Sequence, residues 1–145
     1  MTSEPPQTPA WDYTLHIPHD PLAPRIARRT LRTILAAYEV HELTDTAELL
    51  TSELVTNAHR YARGPASVRI RRDGKRLRVS VWDTDPALPN LTGGAAPDPD
   101  DERGRGLGLI RSCADDWGGF TLGETPFGGL GGKLLWFELG AARHV

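Results

Sequence analysis

The stretch ELLTSELVTNAHRYA, Glu48 to Ala62, constrains this chain more than any other. At about 100° per residue, Ala47, Leu50, Leu54, Ala58 and Tyr61 fall on one stripe, the pattern of a helix laid against a core. Asn57 lies at the edge of that stripe, one turn after Glu53, which falls just beyond it between the directions of Leu49 and Leu50. A carboxylate held between leucines loses hydration, which costs stability unless something compensates. Chemistry is one compensation, since a partly desolvated carboxylate is a stronger base. The same spacing also suits a Glu53 that reaches solvent and an Asn57 that bonds a neighbouring loop.

The rest of the chain bounds what that helix can belong to. A length of 145 residues suits one domain with a proper core, and 39% hydrophobic with 25% charged residues is ordinary globular composition. The net charge of −2 gives no general attraction to nucleic acid or an acidic membrane. One cysteine, Cys113, excludes an internal disulfide framework and suits a reducing compartment. No apolar run approaches the ~20 residues needed to span a bilayer. The acidic, proline-rich start MTSEPPQTPA lacks the regions of a signal peptide. A cytoplasmic protein is expected, with residues 1–10 as a flexible tail and 11–140 as one domain.

In order, Trp11 to Ile17 alternates as a half-buried strand ended by Pro18 and Pro21. Leu22 to Tyr38 is an amphipathic helix with Leu22, Ile26, Thr30, Leu31, Ile34, Leu35 and Tyr38 inward and arginines on its flank. The second helix takes Thr44 or Asp45 as N-cap and stops near Gly64-Pro65, with Gly64 in the left-handed position. Ser67–Arg72 and Arg76–Asp83 form a hairpin about Asp73-Gly74. In its second strand Leu77, Val79 and Val81 share a face that Asp83 continues, while Arg69, Arg71, Arg76 and Arg78 form a basic patch on the other. Thr84 to Glu102 is polar and rich in Pro, Gly and Asp, as in a mobile lid. Gly104 to Ala114 runs from GRGLGL into a short helix, Phe120–Gly123 is a short strand, and Lys133–Leu139 closes the sheet. The fold class expected is α+β: a two-layer sandwich with a mixed, mostly antiparallel sheet and helices on one face.

The glycines of GRGLGLI would let backbone approach a ligand, and the following helix start favours phosphate; a plain tight turn fits equally well. The string lacks the Gly-Lys-Ser/Thr ending of a Walker loop. Its late place after a polar excursion does not suit a dinucleotide fingerprint.

Together, E-x-x-x-N on a helix, an aspartate ending an apolar strand, and a loop running into Gly-x-Gly-x-Gly resemble the GHKL, or Bergerat-fold, ATPases. ELVTNAHRYA, VSVWDTDPALP, GRGLGLI and GGKLLWFEL look most like the anti-sigma-factor serine kinase subgroup. The resemblance spans residues 11–139 and implies ATP and Mg²⁺ as cofactors. It implies that Glu53 activates the attacking hydroxyl, Asn57 coordinates the Mg²⁺, Arg60 reaches phosphate and Tyr61 lies against the nucleoside. Asp83 would accept the adenine amino group, and Gly104, Arg105, Gly106, Leu107 and Gly108 would wrap the triphosphate.

Two features depart from the wider family. Asp83 is followed by Thr84-Asp85-Pro86 rather than glycines, a form that looks usual for the subgroup, and Lys133 stands where many relatives place a threonine near the adenine. The function implied is an ATP-dependent serine/threonine kinase that phosphorylates a STAS-domain anti-anti-sigma protein or sequesters a sigma factor, with a homodimer as a common arrangement. The alternatives are a non-catalytic interaction module of the same fold and a simple ATP hydrolase. Membrane and direct nucleic-acid partners are not expected.

Overall fold

The computed structural model describes residues 10–89, 103–123 and 131–140, with only the backbone for 103–106. The elements are β1 (Trp11–Ile17), α1 (Ala23–Ala37), α2 (Thr44–Tyr61), β2 (Ala66–Asp73), β3 (Arg76–Asp83), α3 (Arg103–Cys113), β4 (Asp116–Thr121) and β5 (Lys133–Leu139). One five-stranded sheet has the order β1-β2-β3-β5-β4, and every pairing in it is antiparallel. The helices cover one sheet face, giving the expected α+β two-layer sandwich without its expected parallel component. Among the described residues no helix is long and apolar enough to cross a membrane.

Packing turns α1 away from the face its large side chains suggest. Ala23, Ala27, Leu31 and Leu35 are buried, whereas Leu22 and Ile26 are about half exposed. Small residues in the stripe let α1 approach α2 closely, which the bulkier Ile26 would prevent. The helix starts where Asp20 accepts the Leu22 N–H at 2.7 Å, and Pro24 sits in the first turn, where no donor is needed. It ends with Glu39 at φ 58° and the Val40 N–H on the Leu35 carbonyl at 2.8 Å. That closure usually takes glycine; burial of Val40 beneath it helps hold the strained residue.

Helix α2 lies at the centre of the helical layer, against α1, α3 and strands β2, β3 and β5. Its buried face is therefore wider than one stripe, and Thr51, Val55 and Asn57 join Ala47, Leu50, Leu54 and Ala58. Neither Thr44 nor Asp45 caps it. Leu43 holds the N-cap position, and the Thr44 hydroxyl donates back to the Val40 carbonyl at 2.8 Å. At the other end Ala62 turns extended, so the left-handed Gly64 is not used. Gly64 instead gives clearance: a Cβ there would lie 2.9 Å from Thr84 Cγ2, so the end of α2 meets the end of β3.

The hairpin turns at Gly74-Lys75, one residue later than the sequence suggests, with Asp73 paired to Arg76 and positive φ at Gly74. Strand β4 begins at Asp116, earlier than Phe120, because glycine here makes room rather than breaking the strand. A Cβ at Gly118 would lie 2.8 Å from the Trp136 ring, and one at Gly119 would lie 2.6 Å from Leu135 Cδ2. The outer sheet face is not a free basic patch. Arg69 and Arg71 approach Asp12, Arg76 and Arg78 approach Glu138, and Arg78 lies 4.1 Å over the Trp136 ring.

Candidate functional site

Side chains that the sequence singles out lie on α2, at the end of β3 and on α3. On α2, Glu53 is half-buried and has no hydrogen-bond or ion-pair partner among the described residues. One turn on, Asn57 is 7% exposed, and its Oδ1 is a buried acceptor without a hydrogen bond among the described residues. Such an atom costs about 1–3 kcal/mol of lost hydration unless a partner arrives. Arg60 is exposed and Tyr61 half-buried at the end of the same helix.

Asp83 ends the inward alternation of β3 and is 1% exposed. Its register partner on β5 is Lys133, equally buried, whose Nζ donates to Oδ1 at 2.9 Å and lies 2.9 Å from Oδ2. The Asp85 N–H also donates to Oδ1 at 2.9 Å, and the Asp85 carbonyl accepts from Lys133 at 3.4 Å. Burial pushes the Asp83 carboxyl above its ordinary range; hydrogen bonding and charge from Lys133 pull the other way without cancelling it. Gly132, at φ 86°, brings the lysine there, since a Cβ at that position would overlap the Asp83 carbonyl oxygen. The sequence marks Lys133 as unusual but not as the counter-ion of Asp83. The available signal was its place in KLLWFEL, where alternation puts Lys133 on the inward face with Leu135, Phe137 and Leu139.

The glycine motif takes a different form from the expected loop. Helix α3 begins at Arg103, so Gly104, Arg105, Gly106, Leu107 and Gly108 are helical. Leu107 and Ile110, a turn apart, are buried and anchor that helix, which packs on α2. The side chain of Arg105, and residues 90–102 of the expected lid, lie outside the described residues. Two hollows lined by described residues lie elsewhere. One is beside His19 and His59, and another of about 540 Å³ is on the outer sheet face near Trp82 and Leu134; neither is lined by Glu53, Asn57 or Asp83.

The donor set suits a hard cation held jointly with a ligand. Among the described residues no cluster of three or more His, Cys, Asp or Glu side chains could hold a metal alone. Magnesium takes few protein ligands and completes its shell with phosphate and water, so a single amide oxygen such as Asn57 Oδ1 fits.

These features define a class: a two-layer α+β domain with a buried helix amide oxygen that has no hydrogen bond among the described residues, and a buried strand-end carboxylate facing the helical layer. The family model of the histidine kinase-like ATPase domain matches residues 17–123, and the chain belongs to that family, whose members bind ATP. No curated protein matches the chain.

Proposed function

We propose that the chain binds Mg-ATP between α2, the end of β3 and the start of α3, and phosphorylates a serine on a STAS-type anti-anti-sigma protein. The family supports ATP binding. The carrying observation is the buried oxygen of Asn57, one turn from the half-buried Glu53, both without a partner among the described residues. When bound, Mg-ATP supplies the transferable phosphoryl group and Mg²⁺ neutralises part of its charge. Glu53 accepts the proton of the incoming serine hydroxyl. Asn57 offers one oxygen to the cation, and Arg60 and the N–H groups at the start of α3 face negative charge. Tyr61 lies against the nucleoside and Asp83 faces the base edge.

E53A should lower transfer of the γ-phosphate to a STAS-domain protein by roughly 10²–10⁴-fold, the usual worth of a general base, with ATP affinity nearly unchanged. Undiminished transfer by E53A rejects the assignment.

A second reading, an interaction module with little turnover that holds a sigma factor, draws on the engagement of Asp83 by Lys133. Titration with Mg-ATP separates the two, since absence of binding at millimolar nucleotide favours the module.

A further inference from the structure

Strand β1 ends the sheet, and among the described residues no backbone hydrogen bond reaches its outer edge. Sheet edges are commonly guarded by proline, lysine or a bulge. The strand WDYTLHI has no proline or lysine, and it pairs with β2 in an unbroken register from Trp11 to Ile17. Its one carboxylate, Asp12, is drawn to Arg69 and Arg71 of β2.

The helix beside this edge is open on the same side. Ala23, Ala27, Leu31 and Leu35 form the buried ridge of α1. Arg32, one position later and so about 100° round, turns to Glu48 of α2. One position earlier, on the flank away from α2, Leu22, Ile26, Thr30, Ile34 and Tyr38 follow one another every fourth residue. Tyr38 joins this ridge to the strand, stacking on Trp11 with ring centroids 4.8 Å apart and sharing a 2.6 Å hydrogen bond with the Tyr13 hydroxyl. Among the described residues the exposed large apolar side chains Tyr13, Leu22, Ile26 and Tyr38 thus gather on one surface, whereas Leu49, Leu88, Leu109 and Phe120 are scattered elsewhere.

We infer that a second copy of this chain docks on this surface, its β1 adding antiparallel to β1 so that the two five-stranded sheets become one. The strand is complementary to itself. With the two-fold axis at Thr14, the middle position, Trp11 stands opposite the partner's Ile17 and Tyr13 opposite the partner's Leu15 on the helical side. On the outer side Asp12 stands opposite the partner's His16, and Thr14 opposite the partner's Thr14. Apolar meets apolar, hydroxyl meets hydroxyl and carboxylate meets imidazole, the pairings that favour neighbouring strands. The same axis brings the helices together. Helix α1 returns from the Ile17 end of β1 to the Trp11 end, and the two elements have nearly the same length, about 22 Å. Thr30, the middle residue of α1, is therefore level with Thr14. Leu22 then faces the partner's Tyr38 and Ile26 the partner's Ile34, with the smaller Thr30 where the helices meet. Arg29 borders the ridge in solvent, where repulsion between like charges is weak. The contact lies across α1 from α2, so Glu53 and Asn57 take no part in it.

The test is sedimentation equilibrium of the full chain, whose mass is 15.9 kDa. The wild type should sediment at twice that mass with a dissociation constant of about 10 µM or below. T14K sets two ammonium groups against each other at the axis and T14E two carboxylates, so each should weaken the dimer at least about tenfold. Mixing T14K with T14E should restore it, because opposite charges then meet. I26E, on the exposed flank of α1, should also weaken the dimer at least about tenfold. F120E changes an exposed apolar side chain on β4, at the other edge of the sheet, and should leave the dimer intact. A wild type that stays monomeric at about 1 mM overturns the inference, as does a dimer that survives I26E. Loss of the dimer in F120E with retention in I26E places the contact on the outer sheet face and overturns it too. Failure of the T14K and T14E mixture to associate removes the pairing about Thr14. Should the Thr14 variants not fold, the wild type, I26E and F120E decide alone.

Discussion

At the scale of single residues, Asp83 carries a pH signature. Burial holds its carboxyl above the ordinary value of 3.8 in the folded chain. Between 3.8 and that raised value the folded chain keeps a proton that the unfolded chain has released, so stability falls with rising pH across the window. The contribution is complete below 3.8 and is lost as pH passes through the raised value. The melting temperature of the wild type relative to D83N should therefore decline as pH rises through that window. A difference that stays constant would show that Asp83 holds no such proton. Asp83 and Lys133 were each legible as inward positions from strand alternation. Their pairing was not, because the register between strands fifty positions apart depends on the whole sheet. Asn57 was placed at the edge of the buried stripe; packing of α2 against several elements at once carries it inside.

At the scale of elements, sequence periodicity located most helices and strands but misjudged faces and ends. Large apolar side chains drew attention to Leu22 and Ile26 on α1, whereas the close α1–α2 contact runs through Ala23 and Ala27. The sequence reading runs GRGLGL as a loop into its helix and starts the fourth strand at Phe120, yet the GRGLGL glycines are helical and Gly118 and Gly119 lie within β4. Gly118 and Gly119 have a packing reason, but Gly108 has little: among the described residues a Cβ there would meet only the Arg111 guanidinium, at 4.0 Å. A helical glycine without a steric purpose forgoes about 1 kcal/mol relative to alanine. G108A should therefore raise the urea midpoint by an amount worth about 0.5–1 kcal/mol. If the glycines serve close approach of phosphate to the backbone, the same variant should bind Mg-ATP more weakly. Added stability with full affinity would assign Gly108 no part in binding.

For the whole molecule, binding and stability are linked. A ligand held only by the folded chain at a hundred times its Kd stabilises it by ~2.7 kcal/mol. The melting temperature should rise with ATP and Mg²⁺ and rise less when EDTA removes the metal. In N57A the two conditions should coincide; a persisting Mg²⁺ dependence would place the cation on other ligands. The two-layer class was legible from the order of helical and strand patterns. Strand order and the shared use of Asp12 and Glu138 by the outer arginines were not, since both arise from contacts between distant segments. Gly132 has a consequence at this scale. With its backbone pressed against the Asp83 carbonyl, it acts as a stop that keeps β5 from sliding along β3. A slip by two positions would bring Leu135 opposite the carboxylate, so backbone contact, and not attraction between opposite charges alone, decides which side chain stands there.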